Sequence, residues 1–177
     1  MTNKRALMAV AMCVMLLPRV NTWGDLRAAD SAGVKAGHEI RVDIPVKLES
    51  ANVVFNMDHM AFMGDLPVGL NYMRLMMGRF REWGTKGEII AVFHGDAAYM
   101  MLDDAAYNTY RKVSTGNPYK SYIAALKVAG VHFEECAVSM KNHEWGNDDL
   151  MQGVKVNSGA VGRIVQLVQQ GYVQIEP

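Results

Sequence analysis

Three apolar runs of strand length, separated by stretches with helical spacing of apolar residues, limit what this chain can fold into. They cover residues 51–57, 88–93 and 131–136. Strands that are apolar on both sides need cover on both faces, as in a parallel sheet. Helices between the strands supply that cover and return the chain to the starting edge. The sequence therefore predicts an α/β fold, with a mostly parallel sheet and helices on both faces in a flavodoxin- or Rossmann-like three-layer architecture.

The remaining elements follow from hydrophobic periodicity. Alternating apolar residues predict a half-buried edge strand over residues 40–48, interrupted by Pro45. Helical spacing predicts helices over four stretches, and a short apolar run predicts a last strand at residues 172–175. The helical stretches are residues 67–82, 96–113, 118–128 and 159–171.

The N-terminus has the pattern of a secretory signal. Lys4 and Arg5 precede the apolar residues 6–17, a run shorter than the roughly 20 residues that span a bilayer. We expect a signal peptide at residues 1–24, a flexible lead-in at 25–38 and one domain at 39–177. The protein is then periplasmic or otherwise exported, without stable membrane insertion. An uncleaved anchor or a buried N-terminal helix is the alternative.

The charge balance excludes one class of partner. The chain has 18 basic and 18 acidic residues. Removing residues 1–24 takes away three basic residues and no acidic one, which leaves a net charge of about −3. Because this surface lacks a basic excess, we expect no nucleic-acid partner.

Cys136 is the only cysteine expected in the mature protein, because Cys13 lies in the predicted signal. A single thiol cannot form an internal disulfide, so it is paired with another molecule, buried and inert, or used for chemistry. Residues 137–140 suit a helix start, whose N–H groups would stabilise a thiolate. Glu134 and Glu135 would oppose this by repulsion between like charges.

Two histidines are expected at the same edge of the sheet as this thiol. His59 follows the first apolar run, His94 follows the second and Cys136 ends the third. The carboxyl ends of parallel strands meet where α/β folds bind ligands. His59 and His94 are therefore candidate ligand-binding residues, although either could be an ordinary solvated or core histidine. A copper site of His59, His94, Cys136 and Met60 is an alternative, since these ligand types suit copper.

The sequence also resembles the DsrE/DsrF-like family of sulfur-handling proteins over about residues 45–177. The resemblance lies in the order and spacing of residues 51–56, 92–97, 130–136 and 153–172. It implies an α/β sheet, homo-oligomers or hetero-oligomers, and a cysteine that carries sulfur as a persulfide. That cysteine corresponds to Cys136. The best-known members are cytoplasmic, whereas this chain is expected to be exported.

These observations lead to one expected function and two alternatives. We expect an exported sulfur-binding or sulfur-transfer protein that uses Cys136 as a persulfide carrier, more a carrier than a multiple-turnover enzyme. It would need no cofactor and would meet a sulfur donor or acceptor protein. The family resemblance and the methionine-rich residues 60–77 favour a homo-oligomer. The alternatives are a copper-binding protein and an interaction module with an inert thiol.

Overall fold

The main sheet has five parallel strands within residues 39–177, the part of the chain that the computed structural model describes. The predicted α/β fold with a mostly parallel sheet is confirmed. The predicted signal peptide and lead-in lie outside the described residues. The strands, in their order across the sheet, are β6 (Lys155–Asn157), β5 (Val131–Cys136), β4 (Ile89–Phe93), β1 (Val53–Met57) and β7 (Val173–Ile175).

Helices connect these strands, and a short antiparallel hairpin of β2 (Phe62–Met63) and β3 (Leu66–Pro67) follows β1. Two 3₁₀ helices cover Gly95–Met101 and Asn147–Asp149. In residues 39–177, no helix is both long enough and apolar enough to cross a membrane. The α-helices are α1 (Val68–Trp83), α2 (Asp104–Arg111), α3 (Lys120–Ala129), α4 (Ala137–His143) and α5 (Ala160–Gln169).

The single helix predicted over residues 96–113 is wrong. The chain forms a 3₁₀ helix there, extends at Leu102 and Asp103, and starts again as α2. The side chain of Asp103 accepts a hydrogen bond from the backbone N–H of Ala106 at 2.7 Å, which caps the new helix. Its own N–H donates to the carbonyl of Asp149 at 2.8 Å. A capping residue therefore divides one apolar stretch into two helices.

Helices cover both faces of the sheet, and each face has its own apolar core. The larger core holds side chains from β1, β4, β5, α1 and α3, including Phe55, Phe93 and Phe133. The smaller core lies under α5 and also contains the thiol of Cys136. Its buried members are Val54, Ile90, Val92, Cys136, Ala160, Ile164 and Leu167. Successive residues of β4 alternate between the two cores, as the two-residue period of a strand requires.

The chain divides into two units, residues 1–45 and residues 46–177. In the first unit, the described residues 39–45 are exposed and form no helix or strand, and Arg41 pairs with Asp43 at 2.8 Å. The strand predicted over residues 40–48 is therefore wrong. Alternation supplies an apolar side, but a strand also needs a neighbour for its backbone hydrogen bonds. Such pairing first occurs at Ser50, which forms an isolated bridge with Lys86.

Candidate functional site

Three strands bring the candidate residues to one level at the carboxyl edge of the sheet. Met57 pairs with Phe93, and Phe93 pairs with Glu135. The next residues along these strands, Asp58, His94 and Cys136, therefore follow at the same height. The strand order reverses between β1 and β7, and open α/β sheets form ligand crevices at such points. Cys136 ends β5, two strands away from β1 at the same edge of the sheet.

A cavity of about 230 Å³ opens at Cys136. The cysteine itself is only 4% exposed, so a reagent reaches the sulfur through this cavity. None of the residues around it is Asp, Glu, Lys or Arg. The lining residues are His94, Cys136, Val138, Ser139, Gly159, Ala160, Val161 and Gly162.

Two helices begin at the sulfur. Cys136 itself is the residue before α4, with extended backbone angles, and Gly159 is the residue before α5. The backbone N–H of Ala160 donates a hydrogen bond to Sγ of Cys136 at 3.3 Å. The neighbouring N–H of Gly159 is bonded to Oδ1 of Asn157 at 3.1 Å, which fixes the turn that delivers α5.

Hydrogen bonding makes the Cys136 thiol more acidic than an ordinary cysteine. Burial raises its pKa, but hydrogen bonds from the backbone N–H groups of Ser139, Ala160 and Val138 and from the Ser139 hydroxyl outweigh that effect, so the pKa is lowered overall. These donors favour the charged form because they bond to the sulfur anion. The thiolate is the nucleophilic form of cysteine, so the cavity holds a thiol suited to attack.

The expected repulsion from Glu134 and Glu135 is absent, for a different reason at each residue. Glu134 is buried beside Arg163, whose Nε and Nη2 donate to the carboxylate at 2.8 to 3.1 Å, so its charge is neutralised. Glu135 is completely buried, and its two carboxyl oxygens have no hydrogen-bond partner among the described residues. Burial raises the pKa of Glu135 to about 9, although the nearby backbone N–H of Cys136 acts in the opposite direction. At neutral pH Glu135 is therefore an uncharged acid.

His94 is the second titratable group of the cavity. Its Nε2 lies 2.7 Å from Oδ1 of Asn56 on β1. The imidazole donates there, so Nδ1 is the nitrogen that can take up a proton. Burial lowers the pKa of His94, and the nearby carboxylates of Asp58 and Glu176 only partly oppose that. The ring is neutral near pH 7 and can accept a proton from a thiol.

The turn after β4 places His94 and Ser139 together. Gly95 has φ +56°, and its backbone N–H donates to Oγ of Ser139 at 3.2 Å. A Cβ at Gly95 would lie 2.4 Å from the carbonyl oxygen of Asp58. The end of β4 approaches the end of β1 so closely that only glycine fits without a shift.

His59 and Met60 lie elsewhere. His59 is exposed and pairs with Asp58, and that hydrogen bond raises the pKa of the imidazole. It is not among the residues that line the cavity. Met60 packs against the larger core. Within residues 39–177, no group of three or more His, Cys, Asp or Glu side chains is arranged to hold a metal ion.

Sequence reasoning found some of the groups that surround the sulfur and missed others. The backbone N–H groups of residues 137–140 were expected to stabilise the thiolate, as those of Val138 and Ser139 do. The Ser139 hydroxyl, Asn56 and residues 159–162 were not predicted to belong to the site. Ser158-Gly159-Ala160-Val161-Gly162 carried one signal, since a run of small residues at a helix start allows close approach to another group. Nothing in the local sequence marks Asn56 or the Ser139 hydroxyl, because their role depends on the packing of β1 and α4 against the β4 turn.

The comparisons with known proteins agree with this architecture. A solved structure of a protein of unknown function, MTH1491 from Methanobacterium thermoautotrophicum, is similar in fold, with a TM-score of 0.52 and 23% sequence identity. The match covers 72% of this chain and 99% of that one. No curated protein matches the sequence. The model of the DsrE/DsrF-like family matches residues 49–177. That range takes in the whole parallel sheet, the thiol cavity and α5, so the resemblance is confirmed and the chain belongs to the DsrE/DsrF-like family.

Proposed function

We propose that this protein binds and transfers sulfur through a persulfide on Cys136. Membership of the DsrE/DsrF-like family indicates a sulfur-related function. The observation that carries the finer proposal is the setting of the thiol: its sulfur accepts a hydrogen bond from Ala160, its pKa is lowered and it faces a cavity of about 230 Å³. A cavity of this size has room for a second sulfur atom on Cys136.

The proposed step is a sulfur exchange between thiols. The Cys136 thiolate attacks the outer sulfur of a donor persulfide, R–S–SH. The donor S–S bond breaks, R–S⁻ leaves with the electron pair, and Cys136 becomes Cys–S–SH. An acceptor thiolate reverses the step and removes the outer sulfur. No cofactor or external oxidant is needed, because the outer sulfur of the donor persulfide is transferred without a net change of oxidation level.

His94 is the proton-exchanging group of this proposal. Its neutral ring lines the same cavity as the thiol, with Nε2 held by Asn56. The Nδ1 atom takes the proton from Cys136 or from an incoming thiol and returns it later. His59 is outside the cavity, so its role is limited to the field that the Asp58–His59 pair adds near His94.

Intact mass measurement tests the proposal directly. The chain with Cys13→Ser, which has Cys136 as its one thiol, is incubated with glutathione persulfide and weighed without reductant. We expect a gain of one sulfur atom, about 32 Da, that a reductant reverses. Cys136→Ser in the same background should gain nothing. His94→Gln should still load but with a changed pH dependence, whereas no loading of the Cys136 protein would refute the proposal.

The same preparation distinguishes the two alternatives. Copper held in molar proportion, and lost on substitution of His59, His94 or Cys136, would favour a metal-binding protein. A thiol that resists alkylation until the protein is denatured would favour an interaction module with an inert cysteine. The hydrogen bonds that lower the thiol pKa support the sulfur function over this second alternative.

We also propose that the protein is exported after cleavage near residue 24. The support is the basic and apolar pattern of residues 4–17, which lie outside the described range. N-terminal sequencing of the protein from the periplasmic fraction should begin near Asp25. An intact Met1 in the membrane fraction would contradict this.

Self-association is the third part of the proposal. Several large apolar side chains on the hairpin and on α1 are exposed in the single chain, which supports an assembly of copies. They are Phe62, Met63, Tyr72 and Leu75. Light scattering at micromolar concentration should give a multiple of the chain mass, and a monomer mass would refute the homo-oligomer.

A further inference from the structure

Two glycines line the Cys136 cavity at positions where larger residues would fit. Gly159 is the residue before α5, Gly162 lies in the first turn of that helix, and both belong to the cavity lining. A glycine is usually required by a backbone conformation that other residues avoid, or by a close contact with another group. Neither requirement applies to these two glycines.

The backbone requires no glycine at either position. Gly159 has φ 170°, which is extended backbone that any residue adopts, and Gly162 lies within the α-helix without a positive φ. Inside a helix, glycine is less favourable than alanine because it loses more conformational freedom on folding. Before a helix, Ser, Thr, Asp or Asn would cap the first N–H groups, whereas Gly159 provides no side-chain cap. Both residues therefore make α5 less stable than it could be.

Packing requires no glycine there either. A Cβ at Gly162 would meet no neighbouring group within 4 Å, and a Cβ at Gly159 would meet Cγ2 of Val138 at 3.7 Å, an ordinary contact. Side chains at the start of α5 would extend towards the cavity, because the Cα–Cβ bonds of a helix tilt towards its N-terminus. For α5 that end is the one whose first N–H meets Sγ of Cys136. The two glycines thus leave open a space that side chains could fill.

This open space lies at the mouth of the cavity. Val161 and Val138 also line the cavity, and they are 73% and 51% exposed, whereas Cys136 is 4% exposed. The valines therefore stand at the mouth and the sulfur at the base. Because no lining residue is Asp, Glu, Lys or Arg, the cavity offers a ligand no ion pair. Its width is the property left to select among ligands.

We propose that Gly159 and Gly162 determine which sulfur compounds reach Cys136, by holding the mouth open to a slender arm. The substrate class is a persulfide or thiol whose sulfur is attached to an unbranched carbon, such as a CH₂ group. In the exchange, the Cys136 thiolate attacks the outer sulfur, the donor S–S bond breaks, and the donor thiolate leaves with the electron pair. A branched carbon beside the sulfur meets Val161 and Val138 before the outer sulfur reaches Cys136. The class of substrate rests on the proposed sulfur function, whereas the role of the glycines does not.

Two alkylating reagents of different width measure the mouth without any persulfide. In the Cys13→Ser background, Gly162→Leu should slow N-phenylmaleimide relative to the slender iodoacetamide by about tenfold or more. The ratio of the two rates largely removes the effect of a changed pKa of Cys136, since both reagents react with the same thiolate. Gly78→Leu is the matched control, because Gly78 is also open and helical but does not line the cavity. It should keep the ratio of the parent.

Two further variants keep the test decisive if Gly162→Leu does not fold. Val161→Ala should widen the mouth and speed N-phenylmaleimide relative to iodoacetamide. The double variant Gly159→Ala, Gly162→Ala should have a thermal unfolding midpoint no lower than that of the parent. A parental ratio in Val161→Ala, or a lower midpoint in the double variant, would overturn the inference, since the glycines would then serve the fold and not the mouth.

Persulfide loading separates this inference from the sulfur function. Cysteine persulfide and penicillamine persulfide carry the same charges, but penicillamine has two methyl groups on the carbon beside the sulfur. After division by the rates with free cysteine, the parent should load from penicillamine persulfide about tenfold or more slowly than from cysteine persulfide. Equal normalised rates would overturn the requirement for an unbranched arm and leave the sulfur function intact. No loading from either donor, together with width-dependent alkylation, would refute the sulfur function and leave the role of the glycines standing.

Discussion

The backbone N–H of Ala160 lies 3.3 Å from Sγ of Cys136 and donates a hydrogen bond to it, although 24 residues separate the two. This contact places the start of the last helix on the thiol at the end of β5. It also links three features of the molecule, because Ala160 is part of the smaller core, lines the cavity and begins α5. The acidity of the thiol thus depends on how the C-terminal part of the chain packs.

Ser139→Ala should raise the pKa of Cys136. The substitution removes the hydroxyl that helps to stabilise the thiolate and leaves the backbone N–H donors in place. The rate of alkylation as a function of pH measures this change, and its midpoint should move to higher pH. Ser158→Ala is the control, since Ser158 is exposed and does not line the cavity. An unchanged midpoint in Ser139→Ala would contradict the assigned hydrogen bond.

Glu135→Gln should remove a pH dependence of stability. Because burial raises the pKa of Glu135 from 4.5 to about 9 in the folded chain, unfolding between these values releases a proton. The stability that comes from protonated Glu135 is fully present below the unfolded pKa. It is lost as pH rises towards the folded pKa, at about 1.4 kcal/mol per pH unit. In urea unfolding from pH 5 to pH 8.5, the free energy of unfolding of the parent should therefore fall relative to that of Glu135→Gln. Parallel curves for the two proteins would show that Glu135 is not an uncharged buried acid.

Arg163→Met should destabilise the fold, because Glu134 would remain buried without its partner. The Glu134 side chain is 9% exposed and that of Arg163 is 25% exposed, so solvent screens the pair only partly. We expect a loss of about 2 kcal/mol in the free energy of unfolding, below the range for fully buried pairs. The double variant Glu134→Gln, Arg163→Met should recover much of it. Equal losses in the single and double variants would contradict the coupling.

Gly95→Ala should cost stability and disturb the cavity. The new Cβ would meet the carbonyl oxygen of Asp58 at 2.4 Å, and the residue would have to keep φ +56°. We expect a loss of about 1–3 kcal/mol, with slower alkylation of Cys136, because the Gly95 N–H also holds Ser139. Gly78→Ala in α1 is the matched control, since open space surrounds its Cβ position. It should be neutral or stabilising, and similar losses in both variants would argue against a special role for Gly95.

The sequence was sufficient for the features that depend on local periodicity. The apolar runs that end at Met57, Phe93 and Cys136 specified buried parallel strands. The residues at the carboxyl ends of these strands were therefore expected at the same edge of the sheet. His94 and Cys136 could therefore be expected at one level. Two predictions from local patterns were wrong. Residues 40–48 alternate like a strand but form none, because they have no pairing partner. Residues 96–113 have helical spacing but do not form one helix, because Asp103 caps a new helix within them.

The sequence by itself determined the layered α/β architecture and put a thiol at a strand end, because the periods of strands and helices are written in consecutive residues. Only the tertiary structure decided what the thiol meets: the N–H of Ala160, the hydroxyl of Ser139 and the imidazole of His94. Likewise, Glu134 and Glu135 are adjacent and identical in the sequence, yet one is paired with Arg163 and the other is an uncharged acid. The reason is physical: hydrogen-bond partners and desolvation are set by chain segments far apart in sequence, and these meet only when the sheet and its helices have packed.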